Sequence, residues 1–392
     1  MLKKIYTCII LLFVPLTIYK INIMTFTLAD SLLLCISPIL LINKLMTKRK
    51  KSVNKKIILI AFGILLHLII LVPFGSIVLQ NDTVLRTLRY ISYLLFVGMF
   101  ARNYFDVQLG MKLLKYISVF SSVFLIIQFI LLNNANYYLS GFIPGLPLSI
   151  ESMHELGRQY ILGFARRPTS IFQEPAHFAS YVLLYFGIAL FSDNKKDKFG
   201  LIVIGIALIL SGSSTGILIA IGLVVLWLGR LLKQVNDIKK VINIFMIILF
   251  LMICFWMFTK TQIFNSFMDR TFASKTATTG RFGNYVDVFS NPYLNKVERI
   301  FGHGMVRFEE YIPTIPRIYF YFGTSGLFLF ILYSLKTFLK KQGYSRVSLL
   351  ILLVSTLGTE IAFGSFIVMY LSFIIETKKL VRVEEDNIAF LN

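Results

Sequence analysis

The chain has 392 residues, 57% of them hydrophobic and only 15% charged, against roughly 45–50% and about 25% in an ordinary soluble domain. That balance excludes a disordered chain, a secreted disulfide scaffold and a normal cytosolic enzyme. The formal charge of +21, from 40 Lys/Arg and 19 Asp/Glu, would point to nucleic acid in a soluble protein. In a chain this apolar it reads instead as basic residues holding the cytoplasmic ends of membrane helices, with no nucleic-acid partner.

A bilayer core of about 30 Å takes about 20 helical residues per crossing. The apolar runs place spans at 5–20, 23–43, 57–79, 86–104, 113–132, 175–192, 199–212, 214–232, 241–259, 318–335, 347–361 and 362–377. The expected fold is therefore an all-α polytopic membrane protein of about twelve transmembrane helices, one membrane domain over 1–392. Lys3 and Lys4 before an apolar stretch imitate a signal peptide, but no small-residue cleavage site follows, so the segment reads as a retained first helix. Cys8, Cys35 and Cys254 fall inside apolar runs and are expected as buried thiols. With the N-terminus inside, cytoplasmic segments hold 26 Lys/Arg, while the opposite face, long loops aside, holds only Lys20, Arg86 and Arg89. That asymmetry puts both termini in the cytoplasm, with 378–392 as a cytoplasmic tail.

Two outward loops, 133–174 and 260–317, are long enough to suggest function. The first balances Arg158, Arg166 and Arg167 against Glu151, Glu155 and Glu174; the second carries eight Lys/Arg against five acids. Arginine outnumbers lysine in both, and its planar fork suits a phosphate-bearing ligand. Loops that simply salt-bridge to each other are the structural alternative. Inside the spans, Asp30, His67, Gln128 and Glu360 are the main polar exceptions, with Asp30 and His67 a candidate pair. Arg86 and Arg89, spaced i,i+3, read as snorkelling anchors or as further phosphate contacts.

The richest stretch runs from Arg166 through Arg167, Pro168, Ser170, Phe172, Glu174, Pro175 and His177. Pro175 should open the sixth span, because proline suits the first helical position and pushes its predecessor out of the helical region. Glu174 then caps the helix at its positive end, beside Arg167 and Arg166, with His177 three residues on along the same face. A structural Arg–Glu clamp is the alternative. In the second loop, Phe282, Tyr285, Val286 and Phe289 share one helix face, Arg281 sits in its first turn, and Phe301-Gly302-His303-Gly304 forms a glycine-flanked turn. No P-loop, dinucleotide cradle, HExxH or paired CxxC is present, so neither cofactor nor metal is expected.

In these residues the chain resembles the bacterial O-antigen and capsular polysaccharide polymerases (Wzy-type), related to the O-antigen ligases. Arg167, Ser170, Phe172, Glu174 and Pro175 match the family's Arg-x-x-(Gly/Ser)-x-Phe-x-Glu-Pro pattern. Leu210-Ser211-Gly212-Ser213, Gly280-Arg281, Phe301-Gly302-His303-Gly304 and Phe322-Gly323-Thr324-Ser325-Gly326 follow in the family's order, covering roughly 140–335. Ligases carry a His-Asn where this chain has Pro316-Arg317-Ile318, a departure that favours the polymerases. The resemblance implies a C-type membrane glycosyltransferase fold in a bacterial cytoplasmic (inner) membrane. It implies joining of undecaprenyl-diphosphate-linked oligosaccharide repeats on the outer face, with a chain-length regulator and a flippase as candidate partners. On this reading catalysis falls to Glu174, Arg167 and Arg281, and substrate contacts to Arg166, His177, His303 and Arg317, joined by Arg86 and Arg89 from outside the matching region. A ligase-type transferase and a twelve-span transporter or flippase remain as alternatives.

Overall fold

A computed structural model describes residues 1–21, 26–47, 53–71, 81–137, 139–149, 167–192, 197–233, 296–306 and 312–375, with nine further single residues between 256 and 289. The helices are α1 (Leu2–Leu16), α2 (Leu28–Met46), α3 (Lys55–Leu71), α4 (Asn81–Tyr104), α5 (Val107–Ala135), α6 (Pro175–Phe191), α7 (Lys198–Leu210), α8 (Ser214–Lys233), α9 (Lys296–Phe301), α10 (Thr314–Lys340), α11 (Gly343–Thr356) and α12 (Phe366–Ile375). Among the described residues the only β features are two isolated bridges, Tyr19 with Leu148 and Lys20 with Thr27. Helices in α2, α4, α5, α8 and α10 are long and apolar enough to cross a membrane, and α6, α7, α11 and α12 are shorter apolar helices. The protein is a helical, membrane-embedded one. The expected span at 241–259 lies almost wholly outside the described residues.

Lipid-facing surfaces carry the apolar residues that a soluble protein would bury. Leu45, Leu59 and Leu339 are each more than 70% exposed. The same logic corrects the reading of the cysteines: Cys35 is exposed and Cys8 only half-buried, because an apolar run meets lipid as readily as protein. Cys254 falls outside the described residues.

At the centre stands α6, apolar on every side and buried from Phe178 to Ile188. It packs on α8, α11, α5 and α7. Small residues set the spacing: a methyl group on Gly216 of α8 would lie 2.5 Å from the Ala179 methyl of α6. Tyr181 and Tyr370 donate hydroxyls to Leu11 and Ser180 carbonyls at 2.9 and 2.7 Å, tying α1 and α12 to this hub.

Several boundaries differ from the sequence reading. Asp106 caps α5 by accepting from the Leu109 amide at 3.1 Å, so that helix starts six residues before the expected 113. The last two spans end and begin earlier and later than expected, at Thr356 and Phe366. Between them, 357–365 forms a connection with a short 3-10 turn at Ile361–Phe363.

A buried strap leads into α6. Ser170, at φ 57°, donates its amide to Gln128 Oε1 at 2.7 Å and its hydroxyl to the Ser121 carbonyl at 2.6 Å. Gln128 Nε2 returns a bond to the Leu139 carbonyl at 2.7 Å. Phe172 packs beneath, on Phe178 and Tyr181. The polar exception inside the fifth span is thus spent on holding this strap.

A basic cavity at one end of the bundle

The strap delivers Glu174 in extended backbone at the N-cap of α6, with Pro175 at the first helical position, as the proline rules expect. The N-terminal ends of α2, α4, α6 and α10 and the C-terminal end of α1 converge here around a cavity of about 410 Å³. Its lining includes Lys20, Arg86, Arg89 and Arg317, and against these four cations stand two carboxylates, Glu174 and Glu360. His177, Tyr90, Tyr93 and Tyr321 complete much of the wall. Helix N-termini add partial positive charge to the cationic excess, so the cavity suits an anion.

Each arginine is held differently. Arg89 Nε lies 3.6 Å from Asp30 Oδ2, a carboxylate only 4% exposed. Asp30 also accepts the Tyr93 hydroxyl at 2.6 Å and the Thr27 amide at 3.0 Å, closing a capping box at the start of α2. Asp30 therefore pairs with Arg89 and Tyr93, not with His67, which bonds the Phe301 carbonyl at 2.6 Å and packs on Phe322. Arg317, 7% exposed, forms an ion pair with Glu360. Arg86 forms no ion pair or hydrogen bond among the described residues.

Five residues singled out from sequence thus share one cavity: Arg86, Arg89, Glu174, His177 and Arg317. Arg167 does not line it. Its guanidinium turns to the Gly212 carbonyl at 3.4 Å, in the Leu210–Ser213 turn, because the left-handed Ser170 bends the strap between Arg167 and Glu174. His303 stands apart as well, 3.7 Å from Glu298 and packed at a tilt on Phe320. Burial pushes its imidazole below the ordinary value, with Glu298 pulling weakly the other way. Arg166 and Arg281 lie outside the described residues.

Sequence reasoning noted Glu360 only as a polar exception and assigned it no part in a site. The signal was present, an ionisable group between two short apolar runs. No group of three or more His, Cys, Asp or Glu side chains that could hold a metal occurs among the described residues.

Fold and cavity together define a helical membrane protein with a cationic, carboxylate-bearing pocket at the end of its bundle. No family model matches the chain, and no curated protein does.

Proposed function

We propose that this protein is a glycosyltransferase that polymerises undecaprenyl-diphosphate-linked oligosaccharide repeats at the outer face of a bacterial cytoplasmic membrane. One observation carries the reading: Arg86, Arg89 and Arg317 come from two different helices to face Glu174 and His177 across a single cavity. The donor is already activated by its diphosphate, so the reaction needs charge stabilisation and a proton acceptor and no cofactor. An acceptor sugar hydroxyl attacks the anomeric carbon of the donor chain, the carbon–oxygen bond to diphosphate breaks, and undecaprenyl diphosphate leaves with the bond pair. The arginines take the growing negative charge and Glu174 takes the hydroxyl proton. In this reading the cavity lies on the outer face, both termini are cytoplasmic, and the helices make about twelve crossings. Arg167 then acts from outside the cavity, by bracing the turn at Gly212.

A transporter would place broken helices around a pathway near the bilayer midplane. The broken helix here, α10 at Gly323, has its Phe320 and Tyr321 carbonyls bonded by the His303 and Gly304 amides at 2.8 and 2.9 Å. Its freed backbone holds a loop, which supports transfer over transport.

The test is a liposome assay with purified protein and one lipid-diphosphate-linked repeat, without nucleotide or metal. A ladder that disappears in Arg86→Gln and Glu174→Gln supports the proposal. Transfer to a lipid A or protein acceptor without a ladder would identify a ligase. Movement of the labelled lipid across the bilayer without lengthening would identify a transporter.

A further inference from the structure

Glu360 belongs to no motif, yet its position is built with care. It sits in the connection 357–365, one residue beyond Thr359, whose carbonyl accepts both the amide and the hydroxyl of Thr314 at 2.9 and 2.6 Å. Thr314 opens α10, and Arg317 follows in the same first turn. The Gly358 carbonyl is bonded by Thr215 at 3.3 Å and the Leu357 carbonyl by Tyr285 at 2.6 Å. Thr314, Thr215 and Tyr285 therefore fix the backbone that carries Glu360 beside the helix that carries Arg317.

The two partners differ in freedom. The Arg317 side chain is 8% exposed and the Glu360 side chain 42% exposed, toward the cavity. A buried guanidinium without a counter-charge is costly, so the resting site needs an anion at Arg317. Four cations, Lys20, Arg86, Arg89 and Arg317, meet three carboxylates, Glu174, Glu360 and the Asp30 behind Arg89, so one positive charge is left for an incoming anion.

We propose that Glu360 is the resident anion of this site, a built-in carboxylate that an incoming diphosphate displaces from Arg317. This rests on the diphosphate reading above and adds to it a basis for selection. An occupant must outcompete a tethered carboxylate at the buried arginine, which a diphosphate with several charged oxygens does and the single carboxylate of an acidic sugar does not. The displaced Glu360 remains in the cavity, where the more exposed half of the pair has space to turn.

The experiment uses the full chain in lipid nanodiscs and inorganic pyrophosphate as the probe, with binding read by calorimetry. Glu360→Gln keeps shape and removes charge, so pyrophosphate should bind roughly three- to tenfold tighter than to the wild type, the scale of one partly desolvated ion pair. Glu360→Asp, with a shorter reach to Arg317, should fall between them. The gain should vanish when Glu360→Gln is combined with Arg317→Gln, whereas a gain from Glu174→Gln should survive that combination. Equal or weaker binding in Glu360→Gln overturns the displacement and makes Glu360 a holder of Arg317. Absence of pyrophosphate binding in every variant overturns it too. A tighter Glu360→Gln with no ladder in the liposome assay would remove the polymerase reading and leave the displacement standing. A ladder with unchanged binding would do the reverse.

Discussion

Gly302 and Gly323 are the two sides of one backbone crossing. A methyl group on Gly302 would fall 2.4 Å from the Tyr321 carbonyl carbon, and one on Gly323 would fall 2.1 Å from the Ile300 carbonyl oxygen. Both have positive φ, 76° and 66°. The break in α10 and the turn after α9 are thus a single lock, in which the loop's amides replace the helix's own hydrogen bonds. Two glycine motifs that look independent in the sequence exist for each other.

Gly302→Ala and Gly323→Ala should therefore each cost about 3 kcal/mol or more, from left-handed strain together with backbone overlap. Gly145, also at positive φ (85°) but with open space around it, serves as the control. Gly145→Ala should cost only about 1 kcal/mol. Thermal unfolding in detergent separates the cases, and equal losses at all three positions would disprove the crossing.

The strap makes a second prediction. Gln128→Leu removes the acceptor of the buried Ser170 amide and the donor to the half-buried Leu139 carbonyl. Orphaning two backbone groups should cost roughly 2–4 kcal/mol. Because the strap ends at Glu174, turnover of the lipid-linked repeat should fall more than the lost stability alone explains. A variant that melts early yet polymerises at the wild-type rate when kept cold would disconnect the strap from the site.

How much of this was legible in the sequence depends on the range of the interaction concerned. Helical class and helix positions follow from apolar runs, a local signal, and cavity residues such as Arg86, Glu174 and Arg317 stood out as charges beside apolar segments. Arg167 was placed beside Glu174 because the two are near in sequence. The bend at Ser170 that separates them is held by Gln128 and Ser121, more than forty residues away. The same holds for Glu360. Its apolar neighbours read as continuous spans, while the turn that exposes it is fixed by Thr215, Tyr285 and Thr314 from elsewhere in the chain.

His303 gives a pH dependence with a definite sign. Burial, the larger influence, holds its imidazole below the ordinary value of 6.5, so the native chain binds a proton less readily than the unfolded one. The stability it contributes is complete above that value and is lost as pH falls below it. The unfolding midpoint should drop more between pH 8 and about pH 5.5 in the wild type than in His303→Gln. Identical slopes would mean that the imidazole is not held neutral against Phe320.

Arg86 and Arg89 should separate binding from stability. Arg89 pairs with the buried Asp30, whereas Arg86 lines the same cavity with no ion pair among the described residues. Arg86→Gln should leave the unfolding midpoint unchanged and weaken pyrophosphate binding about tenfold, the scale of one charge-assisted contact. Arg89→Gln should weaken binding similarly and also lower stability by about 1–2 kcal/mol, because Asp30 keeps Tyr93 and Thr27 but loses its cation. Adding Asp30→Asn to Arg89→Gln should return part of that stability without returning affinity. If Arg86→Gln destabilises the fold and spares pyrophosphate binding, the arginine is an anchor at the membrane surface and the anion site must be sought elsewhere.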